Sequence, residues 1–176
     1  MKITKTKFSE LKIFEGSKFD DKRGTFRELI IQKKIKSKII FTVFSKSKKN
    51  VLRGLHMQRK FPQGKYVSVI KGSILDVVVD CRKNSKTFGK HFKIFLSDKD
   101  NRSLLIPAGF AHGFYTLTDG VVIHYKCSNY RHANSETGII WNDKDLKIKW
   151  PIKKPIVSKK DKKNLSFKDY VKKFIK

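Results

Sequence analysis

The sequence predicts an all-β fold, a sandwich or barrel of short strands, with a short helix at the C-terminus. Between Lys65 and Ser128, short runs rich in β-branched residues alternate with turn signals, and no helical spacing interrupts them. After Ser166, in contrast, apolar residues recur at helical spacing. A length of 176 residues with 39% hydrophobic content predicts one domain, residues 1–176, that buries its own core.

The strands are predicted where apolar runs end at Gly, Pro or Asp-Gly signals, such as the turns at Lys71–Gly72 and Asp119–Gly120. In chain order they are expected at Gly24–Ile31, Ser37–Ser45, Arg53–Gln58, Lys65–Ile70, Ser73–Asp80, His91–Leu96, Ser103–Ile106, Gly113–Leu117 and Val121–Cys127. Arg82–Thr87 is expected to be a loop, and the lysine-rich stretch Lys153–Lys163 is interpreted as a linker.

The predicted helix covers about Ser166–Lys176. Its apolar residues fall on one face, and Asp169 stands three residues after Ser166, where the acid of a capping box lies. We therefore expect an amphipathic helix that docks on the strands.

The charge of the chain has two possible origins. Lys and Arg number 42 against 15 Asp and Glu, which gives a net charge of +27. Such an excess is typical of proteins that bind nucleic acid or another polyanion, but it also arises when AT-rich codons dominate a genome. The lysines are spread along the chain rather than gathered in one block, so we favour the compositional origin and do not expect nucleic acid as a partner. The charge would still attract a phosphorylated ligand.

Cysteine usage and the N-terminus predict a soluble, cytoplasmic protein without a membrane partner. Cys81 and Cys127 form no CxxC motif, which argues against a zinc site and a disulfide framework. Residues 1–16 lack the apolar segment of a signal peptide, and no stretch approaches the roughly 20 apolar residues of a membrane span.

Two segments place polar residues where strands would otherwise be apolar. The first begins at Arg53 and ends at Gln58, and regular alternation predicts His56 and Gln58 on one face with Arg53 on the other. In the second, Ile106–Phe114, a Pro and Gly turn delivers His112 onto the following strand.

This pair of segments resembles the cupin superfamily, small jelly-roll barrels whose motifs contain His-x-His and Pro-x-Gly-x-x-His. Gln58 stands where a metal-binding cupin has its second imidazole, and no glutamate follows closely. Because most of a metal site is thereby lost, we predict that no metal binds and that His56 and His112 transfer protons or donate hydrogen bonds. A metal-dependent cupin enzyme is disfavoured for the same reason.

Within the cupins, the chain is similar to the dTDP-4-dehydrorhamnose 3,5-epimerase family over nearly its whole length. The matching motifs, in order, are Phe19–Glu28, Asn50–Gln58, Gln63–Lys65, Leu75–Arg82, Thr87–Lys90, Ile106–Phe114, Tyr125–Lys126, Trp141–Asp143 and Ile148–Pro151. Each motif alone is weak, whereas the ordered set is specific.

The resemblance implies epimerisation of dTDP-4-keto-6-deoxyglucose at carbons 3 and 5, a step toward rhamnose for surface polysaccharide, without any cofactor. His56 is implied as the base, Tyr125 as the acid on the opposite face, and Asp161 as the carboxylate that orients His56. Lys65 and Arg53 are implied to stabilise negative charge on the enolate or the diphosphate. His112 would hydrogen-bond the sugar. On the residues alone, His56 could instead be a core histidine, and Lys65 and Asp161 could be ordinary surface charges.

For the nucleotide end, the resemblance implies a second set of binding residues and a homodimer. The set consists of Arg23, Phe26 and Glu28, which would reach the nucleotide across the dimer interface, and of Arg131, Glu136 and Lys160. Arg131 replaces a tyrosine that is usual in the family, and Phe41–Ser45 departs from its pattern as well. A guanidinium plane can also stack on a base, so the nucleotide-diphosphate sugar remains the expected ligand.

Two other functions stay open on the sequence. One is a mono-epimerase that inverts only carbon 3 or carbon 5 of another nucleotide-linked 4-keto sugar. The other is a cupin without catalytic activity that binds a sugar or a polyanion. Proton exchange into the sugar and the salt dependence of binding would distinguish them.

Overall fold

The computed structural model describes residues 1–175, and its architecture is two antiparallel sheets with one short helix. In chain order the strands are β1 (Lys2–Lys5), β2 (Lys12–Glu15), β3 (Lys18–Asp21), β4 (Gly24–Arg27), β5 (Phe41–Ser47), β6 (Leu52–Gln58), β7 (Lys65–Lys71), β8 (Ser73–Asp80), β9 (His91–Ser97), β10 (Arg102–Ile106), β11 (Phe110–Thr116), β12 (Val121–Cys127) and β13 (Glu136–Gly138). The helix α1 spans Phe167–Phe174. The predicted all-β class with a short C-terminal helix is confirmed.

One sheet has six strands in the order β1, β2, β10, β7, β12, β5, and the other has five in the order β13, β6, β11, β8, β9. Strands β3 and β4 form a separate hairpin. Strands β8 and β12 begin and end at the predicted residues. The strand expected at Gly24–Ile31 ends at Arg27, and β1 to β3 were not predicted. All four residues of β1 are exposed, so this edge strand carries no apolar alternation to reveal it.

The main core lies between the two sheets, and a second core lies behind the five-stranded sheet. Val78 of β8 packs in the first core, whereas Val77 and Val79 pack in the second, against the C-terminal segment. Because both faces of β8 are covered, its run Ile74–Val79 is apolar at every position except Asp76 instead of alternating.

The C-terminal segment closes the second core as expected. Ser166 caps α1, since its hydroxyl accepts a hydrogen bond from the backbone N–H of Asp169 at 3.0 Å. Tyr170, 2% exposed, packs against the five-stranded sheet. The helix ends at Phe174, and Lys176, where the predicted helix ended, lies outside the described residues. Among residues 1–175, no helix is long and apolar enough to cross a bilayer.

The lysine-rich stretch is not a free linker, which corrects the interpretation from composition. Ile156 bridges Val51, and its carbonyl accepts a hydrogen bond from the Leu52 N–H at 2.9 Å. Asp161 is 4% exposed. The lysines of this stretch are exposed, while its backbone lies along the beginning of β6, and this packing brings a C-terminal carboxylate into the site described next.

Candidate active site

A cavity of about 840 Å³ opens between the two sheets. Both sheets and the segment before α1 contribute to it, and its walls include most of the polar residues singled out in the sequence. The lining residues among them are Arg53, His56, Lys65, His112, Tyr125, Arg131, Glu136, Lys160 and Asp161.

Arg53 and His56 both line this cavity, so the prediction that they face opposite sides of a regular strand is wrong. On β6 three steps separate Arg53 from His56, but their partners Phe114 and His112 on β11 are only two steps apart. This extra residue is a β-bulge, which shifts the alternation of side chains by one position.

Glycines permit the bulge. Gly54 has φ +131°, and a Cβ atom added there would come 2.5 Å from the Gly113 Cα atom. The two backbones approach so closely that only glycine fits between them, and this closeness turns Arg53 into the cavity.

His56 is paired with Asp161. Its Nε2 lies 2.6 Å from Oδ1 of Asp161, and the backbone N–H of Gly54 donates to Oδ2 of the same carboxylate at 3.2 Å. Burial alone would raise the pKa of the Asp161 carboxyl, but the hydrogen bond and charge of His56, with that N–H, lower it below its usual value. Asp161 is therefore a carboxylate at neutral pH and can accept a hydrogen bond from the Nε2–H of His56; in that neutral tautomer the lone pair of the ring lies on Nδ1.

Tyr125 reaches the cavity through the regular alternation of β12. Its neighbour His124 points to the other face and hydrogen-bonds Thr42 at 2.7 Å, whereas the Tyr125 hydroxyl lies 3.3 Å from the Ser45 hydroxyl. Burial raises the pKa of Tyr125, so the phenol is protonated at neutral pH and can donate a proton. This orientation agrees with the prediction from alternation.

Lys65 begins β7, directly opposite Cys127 of β12. Burial lowers the pKa of the Lys65 ammonium, partly offset by the negative charges of Glu136 and Asp76 and by the nearby Cys127 thiol. A cation held inside a cavity interacts with a developing negative charge more strongly than a cation at the surface does.

His112 hydrogen-bonds Asp76, a residue that was not among the site residues predicted from the sequence. Nε2 of His112 lies 2.8 Å from Oδ2 of Asp76, and Asp76 is fully buried. A signal was present, because Asp76 is the single charged residue inside the apolar run Ile74–Val79. Within residues 1–175, no three His, Cys, Asp or Glu side chains come together as metal ligands would.

Arg131, Glu136 and Lys160 form an ionic bridge at the mouth of the cavity. Nε and Nη2 of Arg131 donate to the two Glu136 oxygens at 2.7 and 3.2 Å, and Nζ of Lys160 donates to Oε2 at 2.9 Å. Hydrogen bonds from Arg131 first, and then from Lys160, lower the pKa of Glu136 to about 2. The three residues expected to bind substrate are thus in mutual contact.

Arg23, Phe26 and Glu28 lie elsewhere, on or beside the β3–β4 hairpin, and none of them lines the cavity of their own chain within the described residues. Arg23 pairs with Asp21 at 2.6 Å, and the Glu28 carboxylate accepts the Ser17 N–H at 3.4 Å. Phe26 is 67% exposed and its ring lies 6.2 Å from that of Phe19. This hairpin therefore presents an exposed aromatic surface.

Comparison with known proteins identifies relatives of the whole chain. Residues 5–169 match the family described as dTDP-4-dehydrorhamnose 3,5-epimerase. The dTDP-4-dehydrorhamnose 3,5-epimerase of Shigella flexneri is 42% identical over 176 residues, which covers 96% of this chain and 97% of the relative.

Solved structures with the same fold include two similar proteins. The dTDP-4-dehydrorhamnose 3,5-epimerase of Elizabethkingia anophelis NUHP1 superposes with a TM-score of 0.90 at 40% identity, covering 96% of this chain and 97% of the other. The dTDP-6-deoxy-D-glucose-3,5-epimerase of Legionella pneumophila Philadelphia 1, solved in complex with dTDP-4-keto-L-rhamnose, gives 0.90 at 41% identity over 94% and 92% of the two chains. The predicted cupin-type jelly roll is confirmed by these neighbours.

Proposed function

The chain belongs to the dTDP-4-dehydrorhamnose 3,5-epimerase family, and we propose that it is an isomerase that inverts carbons 3 and 5 of dTDP-4-keto-6-deoxyglucose. The observation that carries this proposal is the His56–Asp161 pair, which shares one cavity with the protonated phenol of Tyr125. Because its substrate is a nucleotide sugar, we also propose a cytoplasmic site of action.

The chemistry requires removal of a proton from a carbon beside the ketone. Nδ1 of His56, whose other nitrogen donates to Asp161, takes this proton, and the electron pair of the broken C–H bond moves to the ketone oxygen to give an enolate. Asp161 stabilises the imidazolium that results. Both nitrogens of His56 are then protonated.

Return of a proton to the opposite face completes the inversion. The Tyr125 hydroxyl donates its proton to the enolate carbon, the new C–H bond forms, and the electron pair on oxygen restores the ketone. His56 then loses its extra proton and Tyr125 regains one by exchange with solvent. The same sequence at the second carbon on the other side of the ketone gives the double epimer.

Stabilisation of the enolate falls to the cations and donors around the cavity. The Lys65 ammonium and the Arg53 guanidinium offset the negative charge on oxygen, and His112 hydrogen-bonds the sugar. His112 is held in one orientation by Asp76, so it reaches the sugar without losing further rotational freedom.

The nucleotide is proposed to lie toward the cavity mouth. Arg131 and Lys160 carry positive charge there, with one carboxylate, Glu136, between them, so the diphosphate meets a net positive site. Glu136 accepts hydrogen bonds from Nε and from one hydrogen of Nη2 of Arg131. The N–H groups of Nη1 and the second hydrogen of Nη2 stay available for a phosphate or a base carbonyl.

The exposed β3–β4 hairpin supports a homodimer in which each chain completes the site of the other. Phe19 and Phe26 present aromatic rings to solvent, and Arg23 beside them is 89% exposed. Rings of this kind stack on a nucleobase. We propose that the hairpin of one copy reaches the cavity mouth of its partner, where Phe26, Arg23 and Glu28 contact the nucleotide.

The experiment that tests the function is proton NMR of dTDP-4-keto-6-deoxyglucose incubated with the protein in deuterium oxide, with the His56→Ala variant as control. We expect loss of signal at carbons 3 and 5 with the parent protein and not with the variant. Exchange at a single carbon would instead identify a mono-epimerase. Exchange at neither carbon would contradict catalysis on this substrate and favour another nucleotide sugar or a cupin that only binds.

A further inference from the structure

Gln58 joins the strand that carries His56 to the two loops at the mouth of the cavity. Its side chain is 7% exposed. Nε2 donates to the carbonyls of Phe61 at 2.6 Å and Tyr130 at 3.1 Å, and Oε1 accepts the backbone N–H of His132 at 2.7 Å. One amide therefore satisfies three backbone groups from two loops that are distant in sequence.

These contacts bracket Arg131. The residues immediately before and after Arg131 are the two whose backbone groups Gln58 holds. Glu136, which pairs with Arg131, is also the register partner of Gln58 where β13 meets β6. Gln58 thus holds the backbone on both sides of Arg131. It also lies opposite Glu136, the residue whose carboxylate orients the Arg131 side chain.

The first loop needs such a restraint. Phe61 has φ +53°, a left-handed conformation that is rare for a bulky residue. It is 61% exposed, so burial of its ring does not hold it there. The 2.6 Å hydrogen bond from Gln58 to its carbonyl and the contact of its ring with His132, 5.2 Å between centroids, stabilise this conformation at Phe61 itself, while hydrogen bonds to the carbonyls of Lys60 and Pro62 hold the residues on either side.

Only a primary amide fits this role. Two carbonyls require a donor with two hydrogens, and one N–H requires an acceptor at the same end of the side chain. A carboxylate would accept the His132 N–H but would face two carbonyl oxygens without a proton to donate. A histidine, the residue of metal-binding cupins at this position, has only two ring nitrogens and cannot satisfy two carbonyls and one N–H at once.

We propose that Gln58 is a positioning residue for the nucleotide end of the substrate, acting through Arg131 and Glu136 rather than by touching the reacting carbons. The proposal rests on the proposed function, since it assigns the nucleotide to the cavity mouth. It separates two tasks on one strand, because His56 transfers the proton while Gln58, two residues later, sets the groups that hold the nucleotide.

The test compares Gln58→Glu with Gln32→Glu, the same change at an exposed glutamine that donates one hydrogen bond to the Ser37 carbonyl. For Gln58→Glu we expect KM for the nucleotide sugar and Kd for dTDP alone to rise about 10- to 100-fold, because a displacement of about 1 Å has effects of that size. The kcat and its pH profile should stay within about twofold of the parent, as for a group that acts in binding. Gln32→Glu should match the parent throughout.

A double variant tests the route of the effect. If Gln58 acts through Arg131, adding Gln58→Glu to Arg131→Ala should weaken dTDP binding no further. Full additivity of the two changes would overturn the proposal, as would an unchanged Kd in Gln58→Glu or a loss confined to kcat.

If the Gln58 variant does not fold, amide hydrogen exchange of the parent protein tests the hydrogen bonds of Gln58 instead. In the parent protein, the His132 amide should exchange slowly although its loop lies at the surface, and fast exchange would contradict the hydrogen bond to Gln58. The dTDP measurement also separates the two proposals. A parent that binds dTDP without epimerising its sugar disproves the activity and leaves Gln58 to be judged on Kd, whereas a parent that does not bind dTDP overturns both.

Discussion

Nε2 of His56 lies 2.6 Å from Oδ1 of Asp161 although 105 residues separate the two in the chain. The Asp161 side chain is 5% exposed, while the His56 side chain, which lines the cavity, remains 38% exposed. The pair thus combines a sheltered anion, which orients one nitrogen of the ring, with an imidazole that stays open to the cavity. This relationship supports the proposal that His56 is the base, and it leads to the first prediction.

Asp161→Asn should lower kcat by about 10²- to 10⁴-fold with little change in KM, because a carboxamide cannot hold the same tautomer or stabilise the imidazolium. Steady-state kinetics on the nucleotide sugar measure this. Asp145→Asn, at an exposed aspartate outside the cavity, is the control. Equal kcat in Asp161→Asn and the parent would refute the role of Asp161.

Tyr125→Phe should separate proton removal from inversion. His56 remains able to take a proton and return a solvent deuteron to the same face, so deuterium should enter the sugar while formation of the epimer falls by about 10²-fold or more. NMR and mass spectrometry of the recovered sugar measure both quantities. Loss of exchange in parallel with inversion would show that Tyr125 does not act only as the second-face acid.

Lys65 should set a limit on activity at alkaline pH. Burial lowers the pKa of its ammonium below the ordinary value of 10.5, so its charge, and with it kcat/KM, is lost as pH rises through that lowered pKa. Lys65→Arg keeps the charge to higher pH, so the fall of kcat/KM at alkaline pH should occur at a higher pH in this variant. Lys71→Arg, at the exposed far end of β7, should leave the pH of that fall unchanged. The same pH for the fall in Lys65→Arg and the parent would contradict this assignment.

Gly54→Ala should destabilise the protein far more than Gly24→Ala. The two glycines have nearly the same φ, +131° at Gly54 and +129° at Gly24. A Cβ atom added at Gly54 would lie 2.5 Å from the Gly113 Cα atom, whereas one added at Gly24 would have no atom of the described residues within 4 Å. The shared backbone strain costs about 1–3 kcal/mol, and the clash adds about 1–3 kcal/mol at Gly54 alone. Denaturant unfolding of the two variants measures the difference. Equal losses would mean that the close approach of β6 and β11 is not required.

The cross-chain hairpin can be tested by mixing two defective variants. Phe26→Ser should raise KM, and His56→Ala should abolish turnover, but a mixed dimer contains one site with His56 from one chain and Phe26 from the other. Co-refolding the two variants should therefore restore part of the activity, and sedimentation should give a dimer for the parent. A monomeric parent, or no recovery on mixing, would exclude the shared site.

Much of this fold and part of the site could be predicted from the sequence because the deciding information is local. The β-branched run of β8 and the Asp-Gly turn before β12 mark strand ends directly, and Ser166 with Asp169 marks the start of α1. Tyr125 could be directed toward the cavity because β12 is regular and side chains alternate along it.

Three features of the site were decided only by the tertiary structure, because each depends on contacts between segments that are distant in the chain. The bulge at Gly54, which turns Arg53 into the cavity beside His56, depends on the approach of β11 at Gly113; Gly54 permits that approach, but the sequence of β6 does not specify which strand comes so close. Composition made Lys153–Lys163 look like a linker, whereas packing of Ile156 along β6 buries Asp161 at His56. Gln58 could be noted only for the metal ligand it replaces, since its three backbone partners meet it only once the chain has folded.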